Sequence, residues 1–137
     1  MGISAESRVL VIDAPAAAVA AIELPTEYAV TDDGVTEFDH IIVFTRTQAE
    51  LELVFDRFRT RLGSASKLWV AWPKAGRLRT DLSIKHVIRI GYDRNLVEST
   101  NLRIDDDWTA LKFTHPKPGK TYQNSYGRLP ENGDAAP

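Results

Sequence analysis

The chain has 137 residues, 43% of them hydrophobic and 26% charged, which is enough apolar material for one folded domain and excludes a wholly disordered chain. The formal net charge of -2 argues against a broad nucleic-acid-binding surface, and the lack of cysteine excludes disulfides, thiolate catalysis and cysteine-ligated zinc. Because the sequence shows no leader pattern and no apolar run long enough to span a bilayer, we expect a cytoplasmic protein without a membrane partner.

The first third of the chain alternates strand and helix patterns. Residues 8–13 form a nearly unbroken apolar, β-branched run, typical of a parallel strand that is covered on both faces. Residues 16–22 are rich in alanine and predict a short helix, and residues 27–31 predict a second strand. After an Asp-Asp-Gly turn, residues 38–44 predict a third, buried strand. This alternation indicates a sheet that grows by parallel crossovers.

The most regular helix pattern follows the third strand. Thr47 and Glu50 have the spacing of a capping box, in which each side chain accepts a hydrogen bond from the other residue's backbone amide. We expect Gly63 to end this helix in the left-handed conformation. The buried stripe of the helix should consist of the apolar residues spaced three and four apart, namely Leu51, Val54, Phe55, Phe58 and Leu62.

The second half of the chain predicts one more strand, one more helix and a hairpin. Residues 67–72 read as a buried strand, and residues 73–80 as a loop. Asp81 has the side chain of a helix N-cap and precedes an apolar helical pattern. Residues 96–104 and 109–114 flank an acidic turn, and they predict a closing antiparallel hairpin.

The end of the chain has a different composition from the rest. From Pro116 to the last residue it is rich in Pro, Gly, Asn, Lys and Ala and has few large apolar side chains. We therefore expect residues 116–137 to be a flexible tail whose deletion leaves the fold intact. Residues 1–115 should form a single α/β domain with a three-layer, Rossmann-like architecture: a mostly parallel sheet of about six strands, helices on both faces and the closing hairpin.

Three segments resemble the marks of a bacterial domain-of-unknown-function family of small proteins. They are Trp69-x-x-Trp72-Pro73-Lys74, Thr80-Asp81-Leu82 and Trp108-x-x-Leu111-Lys112-Phe113. The resemblance implies a shortened class I methyltransferase fold, with the first strand at the start of the chain and the hairpin as its last two strands. It implies no particular activity.

The segment after the first strand departs from the methyltransferase pattern. A loop that holds a methyl donor uses glycines, which let the backbone approach the ligand and turn tightly. Here Asp13, Pro15 and Ala17 hold those places. We therefore expect no S-adenosylmethionine site and no other cofactor. Asp13 and Asp32 stay candidates for lining a ligand pocket, Asp32 either as a ribose contact or as an ordinary turn residue.

The strongest candidate site is the loop after the strand at residues 67–72. It carries Lys74, Arg77 and Arg79, it leaves the carboxyl end of a parallel strand, and a helix N-terminus follows it. The loop either binds an anionic group or serves as a solvated connector. Two large aromatic side chains, Trp72 and Trp108, flank it in the predicted fold and either stack on a ligand or pack in the core.

Recognisable catalytic motifs are missing from the sequence. His40, His86 and His115 lack metal-ligand spacing, and neither a nucleophile elbow nor a triphosphate-binding loop is present. The sequence therefore favours a non-catalytic regulatory or protein-interaction module, which has lost the methyl-donor loop, over an enzyme. The alternative is a protein that binds an anionic small molecule, with or without catalysis, at the carboxyl edge of the sheet. A homodimer through an exposed sheet edge stays open.

Overall fold

The computed structural model describes residues 1–74 and 76–130 and has an α/β fold. Five strands in these residues form one mixed sheet in the order β1-β2-β3-β5-β4. The elements, in chain order, are β1 (Val9–Ile12), α1 (Ala16–Ala21), β2 (His40–Phe44), α2 (Gln48–Phe58), β3 (Lys67–Pro73), a 3-10 turn (Arg77–Arg79), α3 (Ile84–Asp93), β4 (Val97–Arg103) and β5 (Trp108–Thr114).

The sheet has a parallel half and an antiparallel half. Strands β1, β2 and β3 run parallel, whereas β5 is antiparallel to both β3 and β4. The hairpin therefore returns so that its second strand lies inside the sheet and β4 forms the edge. The expected closing hairpin is present, but the expectation of a mostly parallel sheet of about six strands is wrong.

The missing strand is the one predicted at residues 27–31. Only Ala29 pairs with β1: its amide donates to the Val9 carbonyl and its carbonyl accepts from the Val11 amide, each at 2.9 Å. Alternating side chains alone do not make a strand, since the ladder must continue over several residues. The chain instead turns after this single bridge, and the Asp32 carboxylate meets Arg61.

Two apolar clusters cover the two faces of the sheet and give the fold three layers. Helices α2 and α3 pack on one face, where Phe55 of α2 meets Phe113 of β5 edge-on with ring centroids 4.9 Å apart. Helix α1 packs on the other face through Ala18. Trp69 and Trp72 are three residues apart on β3 and lie in opposite clusters, as strand alternation requires.

Helix α2 begins as the sequence predicts, and the beginning of α3 differs. The Thr47 hydroxyl accepts from the Glu50 amide, and the Glu50 carboxylate accepts from the Thr47 amide, so the capping box is confirmed. Asp81 does not cap the helix that follows it, because α3 begins two residues later, after Ser83. Its Oδ1 instead accepts from the Gln48 amide at 2.8 Å, which ties the loop to the first turn of α2.

The end of α2 also differs from the prediction. The helix ends at Phe58, and Gly63 lies outside the left-handed region. A Cβ at Gly63 would come within 2.3 Å of a Glu37 carboxylate oxygen. Because the Glu37 side chain is exposed and can move, this contact does not require glycine, and no left-handed cap does either.

The segment after β5 packs against the domain as far as the structure describes it. Leu129 is 3% exposed and belongs to the same apolar cluster as α2 and α3, and Tyr122 packs on this cluster. Gly127 lies against the Tyr92 side chain, where a Cβ would approach within 2.9 Å. The flexible tail stays a prediction, and the burial of Leu129 argues against it over residues 116–130. Residues 131–137 of that predicted tail lie outside the described residues.

Candidate functional site

The carboxyl ends of three parallel strands meet at one edge of the sheet. Because β5 is antiparallel to β3, its first residue lies at the same edge, and Trp108 pairs with Pro73. The loops after β1 and β3 and the turn before β5 therefore share this edge. The topology places Asp13, Lys74 and Trp108 there together, which is the edge at which open α/β sheets hold ligands.

The loop after β1 leaves little room for a ligand. Asp13 is exposed and adopts the left-handed conformation with φ of 58°, although it has a Cβ, and Pro15 precedes the first residue of α1. The cavity at the ends of β1 and β2 has a volume of about 200 Å³, below the roughly 300 Å³ at which small-molecule pockets begin. Its walls include Asp13, Thr45 and the side chains of Arg57 and Phe58.

The Asp32 carboxylate is already engaged by arginine. Its Oδ1 accepts from Arg61 Nη2 at 2.6 Å and its Oδ2 from Arg61 Nε at 3.1 Å, while the Gly34 amide donates to Oδ1 at 3.0 Å. Arg57 lies 3.8 Å away. The Arg61 hydrogen bonds hold the pKa of this carboxyl below its usual value, and the carboxylate side chain is only 6% exposed. Asp32 therefore joins the segment before β2 to the end of α2.

A larger groove opens between the end of β3 and the beginning of α3. It has a volume of about 430 Å³. Its walls combine apolar, hydroxyl and amide side chains with one ammonium group: Trp72, Lys74, Leu82, Ser83, Ile84, Asn101 and Thr109. Among residues 1–74 and 76–130, no carboxylate lies within ion-pair distance of Lys74. Of the three cations that the sequence singles out, Lys74 is the one that lines the groove.

The two arginines of the loop lie outside the groove. Arg77 Nη1 donates to Asp107 Oδ1 at 2.6 Å, and both side chains are about half exposed. Arg79 is exposed and, like Leu78, has a positive φ, near 57°. The Thr80 hydroxyl anchors the end of the loop by donating to the Arg46 carbonyl at 2.6 Å. The three predicted cations therefore do not converge on one point.

The two tryptophans that the sequence singles out have different surroundings. Trp72 is buried under α3 and forms the floor of the groove. Trp108 lies on the opposite face, where its ring meets Phe44 edge-on at 5.0 Å and the Arg46 guanidinium lies 5.4 Å from its centroid. Trp108 therefore packs in the core beneath a cation, and the groove contains only the Trp72 indole.

The histidines stand apart, as their sequence positions indicate. His40 is buried in β2, and burial, with the nearby charge of Lys67, lowers its pKa. His86 lies beside the Ser83 hydroxyl, and His115 Nε2 lies 3.0 Å from the Leu62 carbonyl oxygen. In the part of the chain that the structure describes, no three side chains of the metal-binding types come together. No helix in that part is long and apolar enough to cross a membrane.

The sequence did not identify the α3 side of the groove. The predicted N-cap at Asp81 places the start of the helix two residues too early, so the sequence does not point to Ser83 and Ile84 as groove residues. The usable signal was Ser83 itself, a good N-cap residue directly before the apolar spacing of Ile84, Val87 and Ile88. Asn101 and Thr109 come from the hairpin and carried no local signal.

Comparisons with known proteins bear on the fold alone. No protein-family model and no curated protein matches the chain. The crystal structure of the B. subtilis M1A22 tRNA methyltransferase TrmK matches with a TM-score of 0.46 and 9% sequence identity. The match covers 83% of this chain and 50% of that chain, so this chain spans about half the length of that protein. The fold of the described residues is a five-stranded mixed α/β arrangement.

Proposed function

We propose that this protein is a non-catalytic binding module with a methyltransferase-like fold, whose groove between β3 and α3 binds an acidic segment of a protein partner in the cytoplasm. The observation that carries the proposal is the groove itself, in which the unpaired Lys74 ammonium adjoins the apolar surface of Trp72, Leu82 and Ile84. An ammonium beside apolar walls suits an acidic side chain that is next to an apolar one.

The crowded loop after β1 supports a role without methyl transfer. Asp13, Pro15 and Ala17 place Cβ atoms where glycines would let a methyl donor approach, and the adjacent cavity is only about 200 Å³. Asp32, the carboxylate that would hold a ribose, accepts hydrogen bonds from Arg61 and Gly34. A ligand that needed this carboxylate would first have to displace Arg61.

The rim of the groove supports a protein partner. Leu78 and Ile84 are 51% and 36% exposed, and both lie on the segment between the end of β3 and the start of α3. Large apolar side chains that stay exposed next to a pocket are typical of interaction surfaces. Arg79 adds an exposed cation that forms no ion pair with the described residues, and it would draw an acidic partner toward the groove.

The alternative is an anionic small molecule in the same groove. A volume of about 430 Å³ falls within the usual size range of ligand pockets, and Asn101, Thr109 and Ser83 offer hydrogen-bonding groups. This alternative needs Lys74 but not the exposed rim. Substitution of Leu78 by serine therefore separates the two candidates. It should weaken the binding of a protein partner and leave the binding of a small anion unchanged.

Binding of short peptides tests the proposal. The panel consists of peptides with Asp or Glu beside Leu or Phe, each paired with the same peptide carrying Asn or Gln. We expect acidic members to bind, and K74Q to weaken them roughly tenfold or more, since a charge-assisted contact contributes about 1.5–3 kcal/mol. K85Q is the matched control, because Lys85 is exposed on α3 and does not line the groove.

The outcomes separate the two candidate functions. Failure of all acidic peptides to bind, or an equal effect of K74Q and K85Q, would contradict the proposal. Binding of organic phosphates or dicarboxylates that K74Q abolishes and L78S leaves unchanged would establish the small-molecule alternative instead.

A further inference from the structure

A second cavity lies at the opposite edge of the sheet from the groove, at the amino end of β3. It has a volume of about 450 Å³ and lies between the start of β3, the end of β5, the start of β4 and the segment after β5. None of the candidate site residues that the sequence predicts, at the carboxyl edge of the sheet, lines it. Four of its wall residues are lysines, namely Lys67, Lys112, Lys117 and Lys120.

The sheet register brings the first two lysines to one face. Lys67 and Trp69 are two residues apart on β3 and therefore point to the same side, and Trp69 pairs directly with Lys112 of β5. The Lys112 ammonium lies 5.8 Å from the centroid of the Trp69 ring. Both lysines are half-buried and line the cavity, because their aliphatic stems pack on the sheet while their ammonium groups stay accessible.

The segment after β5 supplies the other two lysines and forms a wall. Tyr122 fixes this wall: its hydroxyl accepts from the Lys117 amide at 2.9 Å, and its ring lies 5.3 Å from the Lys120 ammonium. The ring also packs on the main apolar cluster. Lys117 and Lys120 therefore belong to a folded segment that lines the same cavity as the two strand lysines.

The described residues do not neutralise the charge in this cavity. The chain has six lysines and a net charge of -2, yet four of the six line this one cavity. In the described ranges, 1–74 and 76–130, none of the four forms an ion pair. The cavity has one carboxylate in its wall, Glu98, whose Oε1 accepts from the Tyr92 hydroxyl at 2.5 Å and from Asn124 Nδ2 at 3.3 Å. Lysines gathered against their mutual repulsion indicate an anionic occupant.

The lining also fits the chemistry of a phosphate group. Ser64, Ser99 and Thr114 also line the cavity, and their hydroxyl groups can donate to phosphate oxygens. Lysine binds phosphate as a compact point charge without demanding a fixed planar geometry. The volume suits a small molecule, and the concave shape, closed on one side by the segment after β5, favours it over an extended polymer.

We propose that this lysine cavity is a binding site for a small molecule carrying a diphosphate or triphosphate group. The proposal is independent of the groove between β3 and α3, since the two sites share no residue. Four ammonium groups match the two to four negative charges of such a group, whereas a single carboxylate would leave most of them unpaired. A ligand bound here also contacts the segment after β5 and would stabilise its docked position.

Calorimetric titration of the full chain with inorganic pyrophosphate and inorganic triphosphate tests the proposal. We expect both to bind, triphosphate more tightly, with affinity that falls as salt is raised. The K67Q/K112Q and K117Q/K120Q variants should each weaken binding roughly tenfold or more. R59Q/K85Q is the matched control, which removes the same charge at two exposed residues that line neither the cavity nor the groove, and it should leave affinity unchanged.

The K117Q/K120Q variant keeps the test valid if the other double variant fails to fold. Lys117 and Lys120 are exposed, so their substitution leaves the core intact even if changes at the half-buried Lys67 and Lys112 destabilise the protein. The proposal is overturned if neither polyphosphate binds, if K117Q/K120Q binds as tightly as the unmodified protein, or if R59Q/K85Q weakens binding equally. Binding of single-stranded RNA but of neither polyphosphate would also overturn it.

Discussion

The ion pair between Asp32 and Arg61 should stabilise the fold, and replacing Asp32 by asparagine measures its contribution. Two hydrogen bonds at 2.6 and 3.1 Å join the side chains, and the carboxylate is only 6% exposed while Arg61 is 22% exposed. Asparagine has the same shape but removes the charge and one acceptor. Because charge-assisted hydrogen bonds contribute about 1.5–3 kcal/mol, we expect D32N to lower the free energy of unfolding by about that amount at neutral pH.

A second aspartate provides the matched control. Asp56 accepts from Arg94 Nε at 3.0 Å, but its side chain is 55% exposed, so D56N should cost at most about 1 kcal/mol. Urea unfolding of both variants, followed by circular dichroism, gives the comparison. Equal effects of D32N and D56N would refute the reasoning, because burial of the carboxylate would then make no difference.

The pH dependence of D32N follows from the direction of the Asp32 pKa shift. Arg61 lowers the pKa of this carboxyl from 3.8, so the folded state favours the ionised form. The stabilisation is then complete well above pH 3.8 and is lost as the pH falls through the lower folded value. The difference in the free energy of unfolding between the unmodified protein and D32N should therefore become smaller as the pH falls. A difference that stays constant down to about pH 2 would contradict the lowered pKa.

Three further substitutions test the packing of the fold by urea unfolding. L129A should destabilise the protein by about 2–4 kcal/mol because Leu129 is buried in the main cluster, and a neutral result would mean that the segment is a free tail. D81A should cost about 0.5–2 kcal/mol through the loss of the hydrogen bond to the Gln48 amide, and no change would mean that α2 needs only its own capping box. G91A should cost about 1–3 kcal/mol, since its Cβ would come within 2.3 Å of the Phe113 ring, and a neutral result would show that this ring can move.

The parts of the fold that were predicted correctly depend on local chemistry. The capping box of Thr47 and Glu50 is encoded within four residues, and the hairpin at the end of the chain is encoded by an acidic turn between two strand patterns. The parts that were missed depend on distant partners. Asp81 looks like an N-cap, but its carboxylate accepts from the Gln48 amide in the first turn of α2 and does not cap the helix that follows it. No local pattern specifies which helix a capping side chain reaches.

The same limit applies to the two candidate sites. The sequence predicted a candidate site in the loop after β3 with Lys74 and Trp72, because strand ends can be read from patterns, and both residues line the groove. Their role in binding stays a prediction. The sequence could not separate Lys74 from Arg77, since the Arg77 partner, Asp107, comes from the hairpin turn. The sequence did not predict the lysine cavity, because its walls come from β3, β5 and the segment after β5. That segment has one buried residue, Leu129, among residues 116–130, too few to suggest from the sequence that it packs on the domain.

We propose that the carboxyl edge of the sheet binds an acidic partner in its groove and does not bind a methyl donor. Amide chemical-shift mapping of the isotope-labelled protein, titrated separately with S-adenosylmethionine and with an acidic-apolar peptide, tests this claim most directly. We predict that the peptide shifts the amides of Lys74, Ser83 and Ile84 and that S-adenosylmethionine shifts none. Shifts at Asp13 on addition of S-adenosylmethionine, with a dissociation constant near 1 µM (about -8 kcal/mol), would contradict the account.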